Sequence, residues 1–327
     1  RVESATDIRS AVDRTPFHTR YLEERLDDDL AADVRVCKQF LTGIDAYGSD
    51  LRTQGFSGYL TELLVLEHGG FRDLLSAAAD WHPPVRFDPE DHGTRTFDDP
   101  LVVVDPTDPE RNVAAVLSAA NLARLQHAAR QQLADPDPSG FFPDPPAPLS
   151  AADVREFLAD RGTTPVALRF AAPDVVEDQL YPQLQKSLSG VGDALDRHGF
   201  DVLRADLFAD ESAVLLFELS VAERPEIERH EGPPVHVREH ATGFYESYAD
   251  GDAYGPFVDG DRYVVERPRE FTSATALLAS DALFDAALGV HVAEALRDEY
   301  EVLAGDEVAT LAEEFGVELA RYFHPGP

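Results

Sequence analysis

An α+β, multidomain chain is predicted by three observations. Apolar residues recur every three or four positions between 22 and 44, the period of one helix face. Residues 135–149 hold six prolines and no apolar period, as a joint between domains would. Beyond that joint, segments that read as strand, helix, strand and strand follow one another, which is half of a ferredoxin-like sandwich. The organisation expected is therefore a mostly helical domain over 1–134, a Pro-rich linker over 135–149, and a ferredoxin-like C-terminal domain with a helical tail over 150–327.

Taken in order, the first element is expected over 19–44, where Leu22, Leu26, Leu30, Val34, Cys37, Phe40, Leu41 and Ile44 share a face and Glu23, Glu24, Asp27, Asp28 and Arg35 lie opposite. Gly43 and Gly48 bracket its exit, with Tyr47 in the short loop between them. A helical run over 59–67 follows Gly55-Phe56-Ser57-Gly58, and Gly69-Gly70 breaks it. A further helix over 71–81 stops at His82-Pro83-Pro84. Leu101-Val102-Val103-Val104 is a β-branched strand, Asp105-Pro106-Thr107-Asp108-Pro109 a turn, and helix is expected from beyond Arg111-Asn112 to about 133. Past the joint, Ser150-Ala151-Ala152-Asp153 matches a capping box with Asp in place of Glu. Residues 164–170 read as a strand, 179–198 as a helix closed by Gly199, and 201–208 and 213–221 as two strands. Asp259-Gly260 turns a hairpin over 257–266. Helices are expected over 283–303 and 306–323.

Composition narrows the function. The 62 acidic and 28 basic residues give a formal charge of −34, and the single Cys37 rules out a disulfide scaffold. No apolar run is long enough to span a bilayer, so no membrane partner is expected. A start at Arg1-Val2-Glu3-Ser4 with no Met anywhere reads as a piece of a longer protein. A hydrophobic content of 43% argues against disorder. A halophilic cytoplasm explains the charge, because at molar salt the Debye length is about 3 Å and repulsion among surface carboxylates largely disappears. Of the 28 basic residues only Lys38 and Lys186 are lysines, leaving 26 Arg, as a GC-rich genome would produce.

Catalytic signatures are missing. His236 and His240 lie four apart with His230 nearby, which suits an exposed polar face better than a zinc site. Gly55-Phe56-Ser57-Gly58 lacks the spacing of a hydrolase elbow, and no phosphate-binding glycine loop follows a strand. Features suited to nucleotides are present instead. Thr15 and His18 flank Pro16-Phe17 just ahead of the first expected helix, where a hydroxyl, an imidazole and helix amides can meet a phosphate. Thr15 as a simple cap and His18 as a solvated residue fit the same residues. Lys38 can supply an ammonium, Tyr47 a hydroxyl, and Arg111-Asn112 the donors and acceptors that a base edge requires.

These stretches stand in a specific order. Thr15-Pro16-Phe17-His18 precedes Val34-Arg35-Val36-Cys37-Lys38-Gln39-Phe40-Leu41, then Tyr47-Gly48-Ser49-Asp50-Leu51-Arg52, then Gly55-Phe56-Ser57-Gly58-Tyr59-Leu60-Thr61-Glu62. Val104-Asp105-Pro106-Thr107-Asp108-Pro109-Glu110-Arg111-Asn112-Val113 follows, with Gly140-Phe141-Phe142, Arg161-Gly162-Thr163 and Leu180-Tyr181-Pro182-Gln183-Leu184 beyond it. The series resembles the archaeal (class I) CCA-adding enzymes, tRNA nucleotidyltransferases that build the 3′-terminal CCA, over essentially the whole chain. An acidic, arginine-rich sequence fits a haloarchaeal member.

The resemblance implies a nucleotidyltransferase central domain that binds the incoming nucleotide, followed by a tRNA-binding domain. ATP and CTP are the substrates it implies, and the acceptor stem, 3′ end and elbow of tRNA are its RNA partner; a homodimer is a further expectation. It assigns His18, Lys38 and Tyr47, with Thr15 in the same motif, to the nucleotide's triphosphate and sugar. Arg111, beside Asn112, is assigned to the base. Tyr181 and Lys186 are assigned to tRNA, Lys186 standing where the family more often has Arg. The family's Mg²⁺ carboxylates precede the Thr15 motif and are not in this sequence, so the chain alone is expected to be inactive in nucleotide addition. A non-catalytic tRNA-binding module and an acidic interaction scaffold are the alternatives from other classes.

Overall fold

The computed structural model describes residues 11–327, with the backbone alone for 11–13, so Arg1-Val2-Glu3-Ser4 lies outside the described residues. The chain divides into two compact units between Pro145 and Pro146.

The first unit opens with two helices where the periodicity suggested one: α1 (Ala11–Glu23) and α2 (Asp28–Gly43). The break is made by Asp27, which takes an extended backbone and accepts the amide of Leu30 at 2.9 Å as the N-cap of α2. The apolar spacing runs across the break, because Leu22, Leu26 and Leu30 all pack on the same core. Thr15 and His18 therefore sit inside α1 rather than ahead of a helix, and Thr15 is an exposed helical residue rather than a cap. Next come α3 (Gly58–His68), capped by Ser57 and ended by Gly69 at φ 77°, and α4 (Phe71–Ala78).

The small sheet of this unit pairs β1 (Val85–Phe87) in parallel with β2 (Leu101–Asp105), and β2 in antiparallel with β3 (Asp108–Asn112). Arg111 and Asn112 thus lie on a strand, and α5 begins only at Ala119 (Ala119–Ala134), capped by Ser118. Leu101 and Val103 face the core shared with α2, α3, α4 and α5. Burial pushes the Cys37 thiol in this core up to about 12, leaving it unreactive.

The expected linker is partly structured. Residues Pro138–Phe141 form a single 3₁₀ turn whose Phe141 carbonyl accepts Gln39 Nε2 at 2.7 Å, and the Phe141 ring lies 5.3 Å from Phe40. At its other end, Leu149 N donates to Gly316 O at 2.9 Å inside the second unit.

In the second unit, α6 (Ala151–Arg161) starts from the expected Ser150–Asp153 capping box. A four-stranded antiparallel sheet is built from β4 (Thr164–Ala171), β5 (Val202–Ala209), β6 (Ser212–Leu219) and β10 (Tyr300–Ala304) in the order β10-β4-β6-β5. With α7 (Glu177–Arg197) between β4 and β5, that order is the complete ferredoxin-like arrangement. Residues 300–304 had read as helix. Their pairing with β4, Val302 opposite Leu168, is made across more than 130 residues and leaves no local trace. After the short α9 (Ala274–Leu278), the helices near the end are correspondingly shorter: α10 (Val290–Asp298) before β10, and α11 (Ala312–Phe323) after a 3₁₀ turn over Gly305–Leu311.

Both faces of this sheet are covered. Val166, Leu168, Phe170, Leu215 and Phe217 pack towards α7 and α10, while Ala167, Val214 and Leu216 pack towards α6 and α11. On that second face the buried Glu218 receives Arg161 Nη2 at 3.0 Å and Tyr322 Oη at 2.9 Å. Burial works to raise its pKa, but the hydrogen bonds from Arg161, Thr163 and Tyr322 outweigh that and hold it below its ordinary value. Between β6 and β10 is inserted a second sheet, β7 (Ile227–Pro234), β8 (Tyr254–Asp259) and β9 (Arg262–Pro268) in the order β7-β9-β8, with α8 (Arg238–Tyr248) against it. His230 is on β7, where its ring lies 5.6 Å from Phe244, and His240 is on α8. Among the described residues no helix is long and apolar enough to cross a membrane.

Candidate nucleotide-binding site

One end of the β2–β3 hairpin in the first unit is closed by Asp105, whose side chain is fully buried. Its Oδ1 accepts the backbone amide of Thr107 at 2.9 Å and the Thr107 hydroxyl at 2.8 Å, which fixes the turn. Its Oδ2 accepts Nε2 of His18 at 2.9 Å and Nη1 of Arg111 at 2.7 Å. A carboxylate only accepts, so the His18 proton is on Nε2. Burial favours the neutral acid here, but the hydrogen bonds from His18 and Thr107 prevail and hold the Asp105 carboxyl well below the usual carboxylate range. The hairpin thereby draws a residue of α1 and a residue of β3 to one point.

The His18 ring stacks on Tyr59, with centroids 3.8 Å apart and planes 11° from parallel. Tyr59 is the second residue of α3, and its buried hydroxyl has no hydrogen-bond partner among the described residues. Burial first, and then the Asp105 charge, push its pKa far above the ordinary phenol value.

Lys38 and Tyr47 also meet the first turn of α3. A Cβ built on Gly58 would lie 3.3 Å from Tyr47 Oη and 3.6 Å from Lys38 Nζ, so the hydroxyl and the ammonium both rest against the first residue of α3. Tyr47 is held there by a parallel bridge to Phe56. Lys38 Nζ donates to Glu62 Oε1 at 2.6 Å, one turn into α3. The first turn of α3 is thus surrounded by an ammonium, a phenol hydroxyl, a fixed imidazole and, through Asp105, a fixed guanidinium. Helix N-terminal amides add their own attraction for an anion at such a place.

The other residues named from the sequence fall elsewhere. Asn112 is 3% exposed, and its amide is fully used inside the hairpin: Nδ2 donates to Asp99 and to Leu101 O, and Oδ1 accepts Val103 N and Ala114 N. Those four bonds make it a framework residue of the hairpin. Thr15 is exposed on α1. Tyr181 faces inward on α7 at 9% exposure, and Lys186 is exposed on the same helix.

Sequence reasoning did not select Asp105, Tyr59 or Glu62 as site residues. Asp105 and Glu62 are two carboxylates among 62. Tyr59 looks like any apolar residue of a helix start. Among the described residues no group of three or more His, Cys, Asp or Glu side chains gathers to hold a metal ion. The buried carboxylate of Asp105 is already engaged by four donors. The described residues therefore do not fit a magnesium site.

Two family models match the chain. One, described as the second domain of tRNA nucleotidyltransferase, matches residues 32–142, and another, the C-terminal domain of CCA-adding enzyme, matches 161–305. The CCA-adding enzyme of Haloarcula marismortui is 64% identical over 342 residues, a match covering 100% of this chain and 73% of the relative. That of Halorubrum lacusprofundi is 61% identical with the same coverage. That of Methanosarcina barkeri is 39% identical over 98% of this chain and 71% of the relative.

Proposed function

The chain belongs to the CCA-adding enzyme family, and we propose that it forms the nucleotide-gripping and tRNA-measuring portion of an archaeal class I enzyme of haloarchaeal type. The reading is carried by one observation: Lys38 and Tyr47 rest against the first turn of α3 while His18 stacks on its second residue and is joined to Arg111 through Asp105.

In the reaction proposed, the 3′-hydroxyl of tRNA attacks the α-phosphorus of CTP or ATP, a new phosphodiester forms, and pyrophosphate leaves. The part played by this chain is positioning and charge neutralisation. Lys38 and the helix amides receive the triphosphate, and Tyr47 and His18 bracket the sugar and phosphates. Mg²⁺, which when bound neutralises the developing charge in this class of reaction, takes its ligands from outside the described residues.

Arg111 has a base-reading chemistry that fits the two nucleotides. Asp105 engages its Nη1 and fixes the plane of the guanidinium, leaving other N–H groups to donate. Cytosine and adenine both present a ring-nitrogen acceptor beside an exocyclic amine, whereas uracil and guanine carry an N–H at the matching position. A guanidinium held in place therefore favours the first pair.

The tRNA body is proposed to lie on the second unit, with the exposed Lys186 on α7 facing a phosphate. In a halophilic cytoplasm counterion release contributes little, and recognition rests on shape, hydrogen bonds and 2′-hydroxyls.

The test is a titration of CTP and ATP into the chain in molar KCl. Lys38→Ala and Arg111→Ala are each expected to weaken binding at least tenfold, with Arg111→Ala also narrowing the preference for CTP and ATP over UTP and GTP. Unchanged affinities in both variants sink the reading, and absence of any tRNA binding favours an acidic scaffold instead.

A further inference from the structure

A second polar cavity lies in the first unit, between β1 and the chain that approaches β2. It encloses about 340 Å³, and its walls carry Arg86, Thr94, Arg95 and Thr96, with Phe97 and Val102 as apolar floor. Its lining side chains carry no carboxylate, although that of Asp88 approaches Gly93 at its edge, in a chain where acidic residues outnumber basic ones by 62 to 28. The contrast with the second unit is direct. A cavity of about 660 Å³ there is lined by Arg169 together with Asp298, Glu299 and Glu301, and Arg169 donates to Glu301 at 2.6 Å.

The two guanidiniums of the smaller cavity are weakly compensated. Arg86 meets Asp88 only at 3.4 Å, and that carboxylate already accepts the backbone amides of His92 at 3.2 Å and Gly93 at 2.9 Å. Arg95 makes no ion pair among the described residues, and its guanidinium lies 5.8 Å from the centre of the Phe97 ring. Gly93 is where the walls close. A Cβ there would fall 2.6 Å from Arg86 Nη2, 2.7 Å from Asp88 Oδ2 and 3.0 Å from Val104 Cγ2, so a side chain at this position would have to push these groups aside.

The geometry points to an anion subsite here, and we infer that it takes a phosphodiester and its ribose from the RNA strand. Two forked guanidiniums match phosphate oxygens, and the two threonine hydroxyls both donate and accept, as contact with phosphate and 2′-hydroxyl requires. The apolar floor suits a sugar, and the cavity is larger than a bare phosphate needs. Hydrogen-bonding groups of this kind keep their value in molar salt, where simple point-charge attraction is screened within about 3 Å. Val102, which lines this cavity, alternates along β2 with Leu101 and Val103, so the cavity lies on the opposite face of the strand from the core. The inference rests on the proposal that the chain binds tRNA.

The experiment measures binding of a fluorescently labelled tRNA transcript lacking its CCA end to the full chain in molar KCl, with CTP affinity measured in parallel. Arg95→Glu is expected to weaken tRNA binding at least tenfold while CTP affinity stays within twofold, and Arg95→Lys to recover part of the loss. Thr94→Val combined with Thr96→Val keeps the charge and is expected to cost about threefold, which tests the site even if Arg95→Glu disturbs the fold. Unchanged tRNA affinity in Arg95→Glu overturns the inference and leaves the proposed nucleotide site untouched. Displacement of tRNA by inorganic phosphate as tightly as by unlabelled tRNA overturns the assignment to RNA. Loss of tRNA binding in Arg95→Glu with no loss of CTP binding in either Lys38→Ala or Arg111→Ala upholds this subsite and refutes the nucleotide site. A wild-type chain that holds no tRNA refutes both.

Discussion

Arg111 donates through Nη1 to Asp105 Oδ2 at 2.7 Å, and the same oxygen takes His18 Nε2 at 2.9 Å. One buried carboxylate therefore orders two candidate ligands that are 93 positions apart in sequence. Asp105→Asn keeps the size and removes the charge, leaving Arg111 and His18 facing a neutral amide. The expected cost is about 3 kcal/mol at neutral pH, the lower end for breaking a buried pair, because both partners retain some solvent. Nucleotide affinity is expected to fall at least tenfold. The Asp105 carboxyl is held below its ordinary value in the folded state, so its contribution is present above about pH 4 and is lost as pH falls further. Thermal melts of the wild type and the variant should converge on acidification; a gap that stays constant refutes the role given to this carboxylate.

Asn112 predicts the opposite separation. Its Nδ2 lies 2.9 Å from Asp99 Oδ2, so Asn112→Asp places two carboxylates together and removes the donor to Leu101 O. Asn112→Ala instead leaves the amides of Val103 and Ala114 without their acceptor. Each change is expected to destabilise the protein by about 3 kcal/mol. CTP affinity of the folded protein should be little altered. A denaturant midpoint like that of the wild type, combined with weakened CTP binding, restores Asn112 as a ligand.

Asn112 also shows where reading the sequence runs out. The donors and acceptors that suit a base edge equally suit the residue's own hairpin, and only burial separates the two. Asp27 is similar: it lies in the run Asp27-Asp28-Asp29, so its capping role has no contrast, and the apolar period continues across the break it makes. Asp105 is hidden by the same abundance of carboxylates. Strand β10 was unreadable because its partner β4 is far away in sequence. Elements with local causes were legible: the Ser150–Asp153 box, the apolar runs of strands β4 and β6, and α7 closed by Gly199 at φ 80°. Lys38 and Tyr47 were legible as chemistry, but their meeting at Gly58 needed three dimensions.

That meeting includes a competitor. Lys38 Nζ is 2.6 Å from Glu62 Oε1, and both side chains are about a quarter exposed, at 29% and 24%. A triphosphate must share the ammonium with this carboxylate or displace it. Such partly exposed pairs contribute up to about 1 kcal/mol. Glu62→Gln is therefore expected to tighten CTP binding by roughly threefold to fivefold, whereas Lys38→Ala weakens it. Calorimetric titration of both variants decides the matter. Weaker binding in Glu62→Gln means that the carboxylate orients Lys38 rather than competing for it.

His68 should give the first unit a pH response near neutrality. It lies in the last turn of α3 with its ring 5.2 Å from Phe87 and 5.9 Å from Trp81, and its buried Nε2 has no hydrogen-bond partner among the described residues. Burial lowers its pKa, overriding the opposing charges of Glu67 and Asp73 and the favourable helix C-terminus. In the unfolded chain this imidazole titrates near the ordinary value of about 6.5, so below that pH the unfolded state binds the extra proton first. The stability it contributes is present above about pH 6.5 and is lost as pH falls through the lowered folded value. His68→Leu keeps an apolar side chain of similar size and should differ from the wild type by less than about 1.5 kcal/mol at pH 7.5. Between pH 7.5 and pH 5 the stability difference should move in favour of the variant. Trp81 is the single tryptophan of the chain, so its emission reports this neighbourhood directly during urea unfolding. If the stability difference is the same at pH 5 and pH 7.5, the orphaned imidazole is not the origin of the response.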